Sequence, residues 1–467
     1  MLEGLEAVEI KFLQVIFGNQ VFRIDSQYFK KKYLLDDLNI HKFPIERLGN
    51  LAFITDGQHG YHEVDDASPI RHLTAKNASG WFANDHGADR IASWVDENNQ
   101  RSSLQKDDLI LSTRGTVGCC AIVDADVLPA NIDQDVARIK IENPVCSATT
   151  LLAFLNSSIG QDWMERNQTG MVQQGLALCR VREMPIPIFS INFQSVIDRI
   201  IVKSKQNISS SKAKYNQAET TLLNMLGLAD FSPSTEAINI KSLKDSFATT
   251  GRLDAEYYQR KYEEYQSIML SYPNGWQLLM QVCNIKDSNF TPDDSVEYNY
   301  IELADIDNSG AITGCTTSLG SELPSRARRI VTTGDVLISS IEGSLSSCAI
   351  ILENMDAALC STGFYVIHSD EINSETLLVL FKSTLMQNIL KQRCTGTILT
   401  AINRHEFQNI PVPIIAGDAQ KKITGLVQKS FSLKAESERL LDVAKRAVEI
   451  AIEQDENAGM SYIEMNS

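Results

Sequence analysis

One stretch of this chain is written twice. Arg23-Ile24-Asp25-Ser26-Gln27-Tyr28-Phe29 returns as Arg252-Leu253-Asp254-Ala255-Glu256-Tyr257-Tyr258, a shift of 229 at the aspartate. Leu73 and Ser79-Gly80 recur as Leu303 and Ser309-Gly310, shifted by 230. Asp108-Leu109-Ile110-Leu111-Ser112 recurs as Asp335-Val336-Leu337-Ile338-Ser339, and Gly115 with Ala121-Ile122 as Gly343 with Ala349-Ile350. Thr169-Gly170 matches Thr395-Gly396, and Met184-Pro185-Ile186-Pro187-Ile188 matches Ile410-Pro411-Val412-Pro413-Ile414, both shifted by 226. Order and spacing are kept along with residue type, so the chain is a tandem duplication, and any fold it adopts must satisfy one plan twice.

Each copy has three parts. A short amphipathic arm (24–38, then 253–270) is rich in Tyr, Lys and Glu and is expected to be helical. A body of short apolar runs punctuated by Gly, Asn, Asp and Ser follows, over 44–190 and 276–415, with helical stretches at 148–166 and 374–393 that each end near the Thr-Gly. The third part is the most regular. Ile197, Ile201, Ser204, Ile208, Ser211, Tyr215, Ala218, Leu222 and Met225 step by 4 and 3 in turn, and Ile423, Val427, Ser430, Lys434, Ser437, Leu441, Ala444, Val448 and Ala451 repeat that seam 226 residues later.

The expected fold class is therefore α+β: two mixed α/β domains separated by two long antiparallel helices in a coiled coil, related by an internal pseudo-two-fold. The segments are an N-terminal arm at 1–43, a first body at 44–190, a long helix at 191–228, a linker with the second arm helix at 229–275, a second body at 276–415, and a second long helix with a C-terminal tail at 416–467. About 35 helical residues at about 1.5 Å each make a spacer of about 50 Å. The alternative is that each long helix docks only on its own body.

At 467 residues and 43% hydrophobic content the chain can bury two cores. No window approaches a membrane span, and 1–10 carries Glu3, Glu6 and Glu9, so a soluble, cytoplasmic protein without a membrane partner is expected. Nine cysteines without a C-x-x-C pair read as reduced, mostly buried thiols. A net charge of −16 argues against indiscriminate coating of nucleic acid, which depends on Lys and Arg displacing counterions.

Catalytic motifs fail on required residues. Asn143-Pro144-Val145-Cys146 lacks the second proline and the aromatic of an amino-methyltransferase loop, and no G-x-x-x-x-G-K-[ST] occurs. Pro292-Asp293 with Glu302-Leu303-Ala304 lacks the lysine of a metal-dependent nuclease. His59, His62, Glu63, Asp65 and Asp66 form the only metal-like cluster, but the second copy has Phe290 where His59 would fall, so no metal site is assigned.

Taken together, these features resemble the specificity subunits of type I restriction-modification systems, over roughly residues 20–455. The markers are Ile54-Thr55-Asp56-Gly57-Gln58-His59, Asp108 to Ser112 with Gly115, and Thr169-Gly170 to Pro187, each with its second-copy partner. The second copy departs from the pattern at Ile285-Lys286-Asp287-Ser288-Asn289-Phe290. The resemblance implies two target recognition domains, each reading one half of a bipartite asymmetric site on double-stranded DNA. It also implies a non-catalytic chain that recruits two methyltransferase subunits, joined by translocating restriction subunits. S-adenosylmethionine, ATP and magnesium would belong to those partners, with no cofactor on this chain. A self-contained DNA-modifying or DNA-cleaving enzyme, and a coiled-coil scaffold without DNA specificity, are the alternatives.

Base edges are read by Arg, Lys, Asn, Gln, Ser and Thr. In the first copy the candidates are Lys76 and Asn77 near Trp81, then Arg114 and Thr116, then Thr169, Gln173, Gln174 and Arg180. In the second they are Asp305 and Asn308, then Ser344 and Ser346, then Thr395, Thr397, Thr400, Asn403 and Arg404. Arg326, Arg328 and Arg329 suit phosphates better than bases.

Overall fold

The computed structural model describes residue 23 and residues 25–170, 175–236, 238–307, 309–396 and 400–467. It falls into two compact units: Met1–Asn207 with Ala435–Ser467, and Ile208–Lys434.

The body of the first unit is built on an antiparallel four-stranded sheet in the order Ala52–Asp56, Val136–Ile141, Leu109–Ser112, Cys120–Ile122. Leu109 to Ser112 are buried without alternation, as a central strand covered on both faces requires. A three-stranded sheet, Asp89–Arg90, Arg71–Leu73, Ala130–Ile132, packs beside it. Pro185–Pro187 pairs antiparallel with Ile45–Arg47 as an isolated two-stranded ladder, where prolines lose no ladder bond that a central strand would need.

The second unit repeats the frame. Its four-stranded sheet runs Asn284–Lys286, Phe364–His368, Val336–Ser339, Cys348–Ile350, and Pro411–Pro413 pairs with Trp276–Leu278. Its second sheet differs, with four strands in the order Thr316–Leu319, Glu297–Ile301, Leu359–Ser361, Ala327–Ile330.

The single helical stretch expected within each body is two helices in sequence: Ala148–Asn156 then Ser158–Asn167, and Ser374–Lys382 then Thr384–Gln392. Ser157 and Ser383 break them, each turning extended and capping the next helix through its hydroxyl, which accepts from Gly160 N at 3.1 Å and Met386 N at 3.3 Å. The arms also begin later than their amphipathic pattern, at Lys31–Ile40 and Arg260–Leu270. In the first arm the Asp25 carboxylate accepts from Tyr28 N at 3.0 Å and folds that segment into a turn.

The long helices are Ile191–Met225 and Gly417–Glu453. The first stops where Gly227 takes φ 72° and Leu228 N reaches back to Leu223 O at 2.8 Å. In the first unit Ile197, Ile201 and Ser204 are buried with Ser437, Leu441, Ala444, Val448 and Ala451. In the second, Ser211, Ala218 and Leu222 are buried, as are Ile423, Val427 and Ser430. Within each unit the two segments pair antiparallel, along the seam read from the 4-3 spacing. The tail is not an extension of the second helix: Asp455 caps a separate helix, Glu456–Asn466, by accepting from Ala458 N at 2.9 Å. Gly459 lets that helix approach closely, since a Cβ there would lie 2.8 Å from Ala447 O and 3.0 Å from the Phe193 ring. Among the described residues no helix is long and apolar enough to cross a membrane.

Candidate nucleic-acid interface

The Thr-Gly sequences open short hairpins. In the first unit Thr169 and Gly175 exchange both backbone bonds at 2.9 Å, and Gly170 takes φ 113°, a left-handed conformation that favours glycine. In the second, Cys394–Thr395 pairs with Ala401–Ile402, Thr395 facing Ala401, and Gly396 takes φ 130°. Thr169 facing Gly175 and Thr395 facing Ala401 are one pair shifted by the same 226 residues.

Each hairpin is stitched to the loop after the central strand. Leu176 N donates to Thr113 O at 2.9 Å, and Gly175 bridges Arg114. Ile402 N donates to Ser340 O at 2.8 Å, and Ala401 bridges Ile341. A glutamine on the second body helix pins the far side of that loop. Gln161 Nε2 donates to Gly118 O at 2.9 Å and Leu155 O at 2.8 Å, and Gln387 Nε2 donates to Leu345 O at 3.0 Å and Phe381 O at 2.6 Å. Loop and hairpin therefore form one braced rim in each unit, because their backbone donors and acceptors satisfy one another.

In the first unit this rim borders an open cleft of about 590 Å³ lined by Asp56, Thr113, Arg114, Gln134 and Thr169, among others. Arg114 is half exposed, with Nη1 3.3 Å from Asp135 Oδ1. Asp56 receives His59 Nε2 at 2.8 Å and Arg101 Nη2 at 3.2 Å. The cations at this rim are thus matched by carboxylates, so the rim presents directed donors rather than a bare positive surface.

Of the candidates read from sequence, the structure brings Arg114 and Thr169 to this cleft, with Thr116 exposed in the same loop. Lys76 is exposed on the 3-10 turn Ala75–Ala78, apart from the cleft. Asn77 is corrected: it is buried, its Oδ1 accepts from Thr74 N at 2.9 Å and its Nδ2 donates to His86 O at 3.1 Å, so it caps a turn. Arg180 is turned into an ion pair with Glu183 on the helix Leu178–Glu183 and does not line the cleft. Gln173 and Gln174 lie outside the described residues, as do Asn308 and Thr397.

In the second unit Thr395 is exposed, and Thr400 O accepts from Glu342 N at 3.0 Å to close the hairpin on the loop. Ser344 is half-buried, with its hydroxyl 2.9 Å from Ser339 Oγ. Ser346 is exposed, and its carbonyl accepts from Lys382. Asn403 caps the helix Arg404–Gln408 by accepting from Glu406 N at 3.0 Å, and Arg404 pairs with Asp287. The Asp305 carboxylate accepts from Glu302 N at 2.7 Å. Arg328 and Arg329 lie on the edge strand Ala327–Ile330, whose ladder shifts register between Ala327 and Arg329. Arg328 Nε donates to Ser325 O at 3.0 Å, Arg329 Nη1 to Lys286 O at 3.3 Å, and Arg326 reaches Glu302 at 3.5 Å.

No protein-family model matches the chain. A curated relative, the type I restriction enzyme EcoBI specificity subunit of Escherichia coli, is 26% identical over 136 residues, which cover 29% of this chain and 28% of that protein. Over that stretch the chain is similar to a type I specificity subunit, and it spans less than a third of that protein's length. Solved structures with which it aligns include the S subunit of a type I system from M. genitalium, at 12% identity and TM-score 0.42, over 88% of this chain and 95% of that one. The HsdS subunit of Thermoanaerobacter tengcongensis aligns at 14% identity and TM-score 0.28, over 88% and 97%.

Gln134, which lines the cleft, and Arg101, which pairs with the lining Asp56, carry no signal in the repeat pattern, and one equivalence between the copies is shifted. Aligning Gly115 with Gly343 puts Arg114 opposite Glu342, whereas the backbone bridges put Arg114 opposite Ile341. The signal was present: the 227-residue shift of Ser112 to Ser339, carried two residues further, reaches Ile341.

Proposed function

We propose that this chain is the DNA sequence-specificity subunit of a type I restriction-modification assembly, each body reading one half of a bipartite, asymmetric site. The observation that carries the reading is the repeated rim. One backbone arrangement of hairpin and loop occurs in both units, while the side chains it presents differ, as two specificities on one frame require. The likeness to the EcoBI specificity subunit supports the same reading. The long helices recruit two methyltransferase subunits, and translocating restriction subunits join them. The chain supplies no catalytic group, so S-adenosylmethionine, ATP and magnesium act on the partners, in the cytoplasm. With a net charge of −16, affinity for phosphates comes largely from those partners, and this chain contributes base choice.

Mapping of methylated adenines by long-read sequencing, in cells carrying the chain and in cells lacking it, tests the proposal. The expected result is one bipartite motif with two unlike halves that vanishes with the gene. A motif that persists without the chain, or methylation by the purified chain alone, would overturn it.

A further inference from the structure

Two positions face one another across the rim in both units, and their chemistry changes together. In the first unit Thr113 N donates to Asp135 O at 2.8 Å, and in the second Ser340 N donates to Gly363 O at 2.9 Å. These bonds make Asp135 the counterpart of Gly363, just as the hairpin bridges make Arg114 the counterpart of Ile341. The side chains meet within each pair. Arg114 Nη1 lies 3.3 Å from Asp135 Oδ1, and a Cβ built on Gly363 would lie 3.5 Å from Ile341 Cδ1. An arginine steadied by a carboxylate in one unit is replaced, at the same backbone point, by an isoleucine lying over a glycine in the other.

We infer that this pair is a specificity-determining element: Arg114, oriented by Asp135, reads guanine in one half-site, and Ile341, packed over Gly363, meets a thymine methyl in the other. The inference rests on the DNA-reading function proposed above. A guanidinium has five N–H donors in a rigid fork, so one held by a single carboxylate keeps enough of them for the paired acceptors O6 and N7 that guanine presents in the major groove. Half exposure and the fixed backbone bridge leave Arg114 free to reach out while its base stays in place. Isoleucine offers no hydrogen bond, and the apolar group on a base edge in that groove is the thymine methyl. Asp135 is a positioning residue, since it acts through Arg114.

The test uses the complex purified from its own cells through a tag on this chain, incubated with a pool of randomised duplex DNA, with bound molecules sequenced. Arg114→Ile is expected to cut the preference for one G·C pair about tenfold or more, in one half of the motif only. Arg114→Lys, which keeps the charge but not the fork, is expected to lose most of the same preference. The double variant Ile341→Arg with Gly363→Asp is expected to create a G·C preference in the other half. A wild-type complex that selects no motif overturns both this inference and the DNA-reading function. A clear wild-type motif that Arg114→Ile leaves unchanged, or changes in both halves, overturns this inference alone.

Discussion

Ser204 and Ser437 meet inside the first unit with their hydroxyl oxygens 2.6 Å apart, and each also lies within hydrogen-bond reach of the other's backbone carbonyl, at 3.2 and 3.0 Å. Both are fully buried. Ser211 and Ser430 make the same arrangement in the second unit, hydroxyls 3.0 Å apart. Buried hydroxyls are costly unless paired, so a partner serine at this level of the opposite helix favours one register over its neighbours.

Ser204→Ala should therefore destabilise the chain by about 0.5–1.5 kcal/mol, and Ser204→Ala with Ser437→Ala by less than the sum of the two single changes. Ser204→Leu should cost more than either, because close backbones leave no room for it. Urea denaturation of the four variants checks the order, and a costless leucine would contradict the close approach.

Arg138, on the strand Val136–Ile141, and Asp108, just before the strand Leu109–Ser112, form a pair at 2.7 Å with both side chains almost wholly buried. Arg138→Ala should cost about 3–5 kcal/mol near neutral pH, since it strands a buried carboxylate. Burial, only partly offset by the backbone bond to Gln105 N and by Arg138, already holds the Asp108 carboxyl above its ordinary value. A raised carboxyl stabilises the folded state least once pH has risen through its folded value, so the penalty in Arg138→Ala should shrink in acid, as Asp108 protonates. Denaturation at pH 4 and pH 7 compares the two.

His72 sits buried in the strand Arg71–Leu73, its ring centroid 4.1 Å from that of His62. Burial first, and the His62 charge second, push its pKa down to about 4. The unfolded chain, with an imidazole near 6.5, then binds the proton more tightly. Stability should be present above about pH 6.5 and decline by about 2–3 kcal/mol as pH falls toward 4. His72→Leu should flatten that decline by one proton, read from stability against pH.

Gly57 is required by a close approach. A Cβ there would lie 1.8 Å from Ile132 O, because Gly57 N donates to Asp133 O at 3.1 Å and the loop runs against that strand end. Gly57→Ala should destabilise by about 1–3 kcal/mol or more. Gly425→Ala, on an open helix face with nothing within 4 Å, should instead be neutral or stabilise by up to about 1 kcal/mol. Thermal unfolding of the two variants separates the cases.

By itself the sequence determined what is periodic or locally encoded. The duplication, the 4-3 seam with its serines, the Pro-x-Pro strands and the Thr-Gly turns follow from residue spacing and from backbone preferences that act over a few residues. It also marked Arg114 and Thr169, which do line the cleft. Only the tertiary structure decided which polar side chains are left for a ligand. Asn77 looked like a base reader but spends its amide on Thr74 and His86, and Ser344 spends its hydroxyl inside the loop. The fold also set Arg114 against Ile341 and Asp135 against Gly363, an equivalence that depends on hydrogen bonds between segments far apart in the chain. Periodicity reports which face of an element is buried, and only packing reports whether a polar group on a loop has already found its partner.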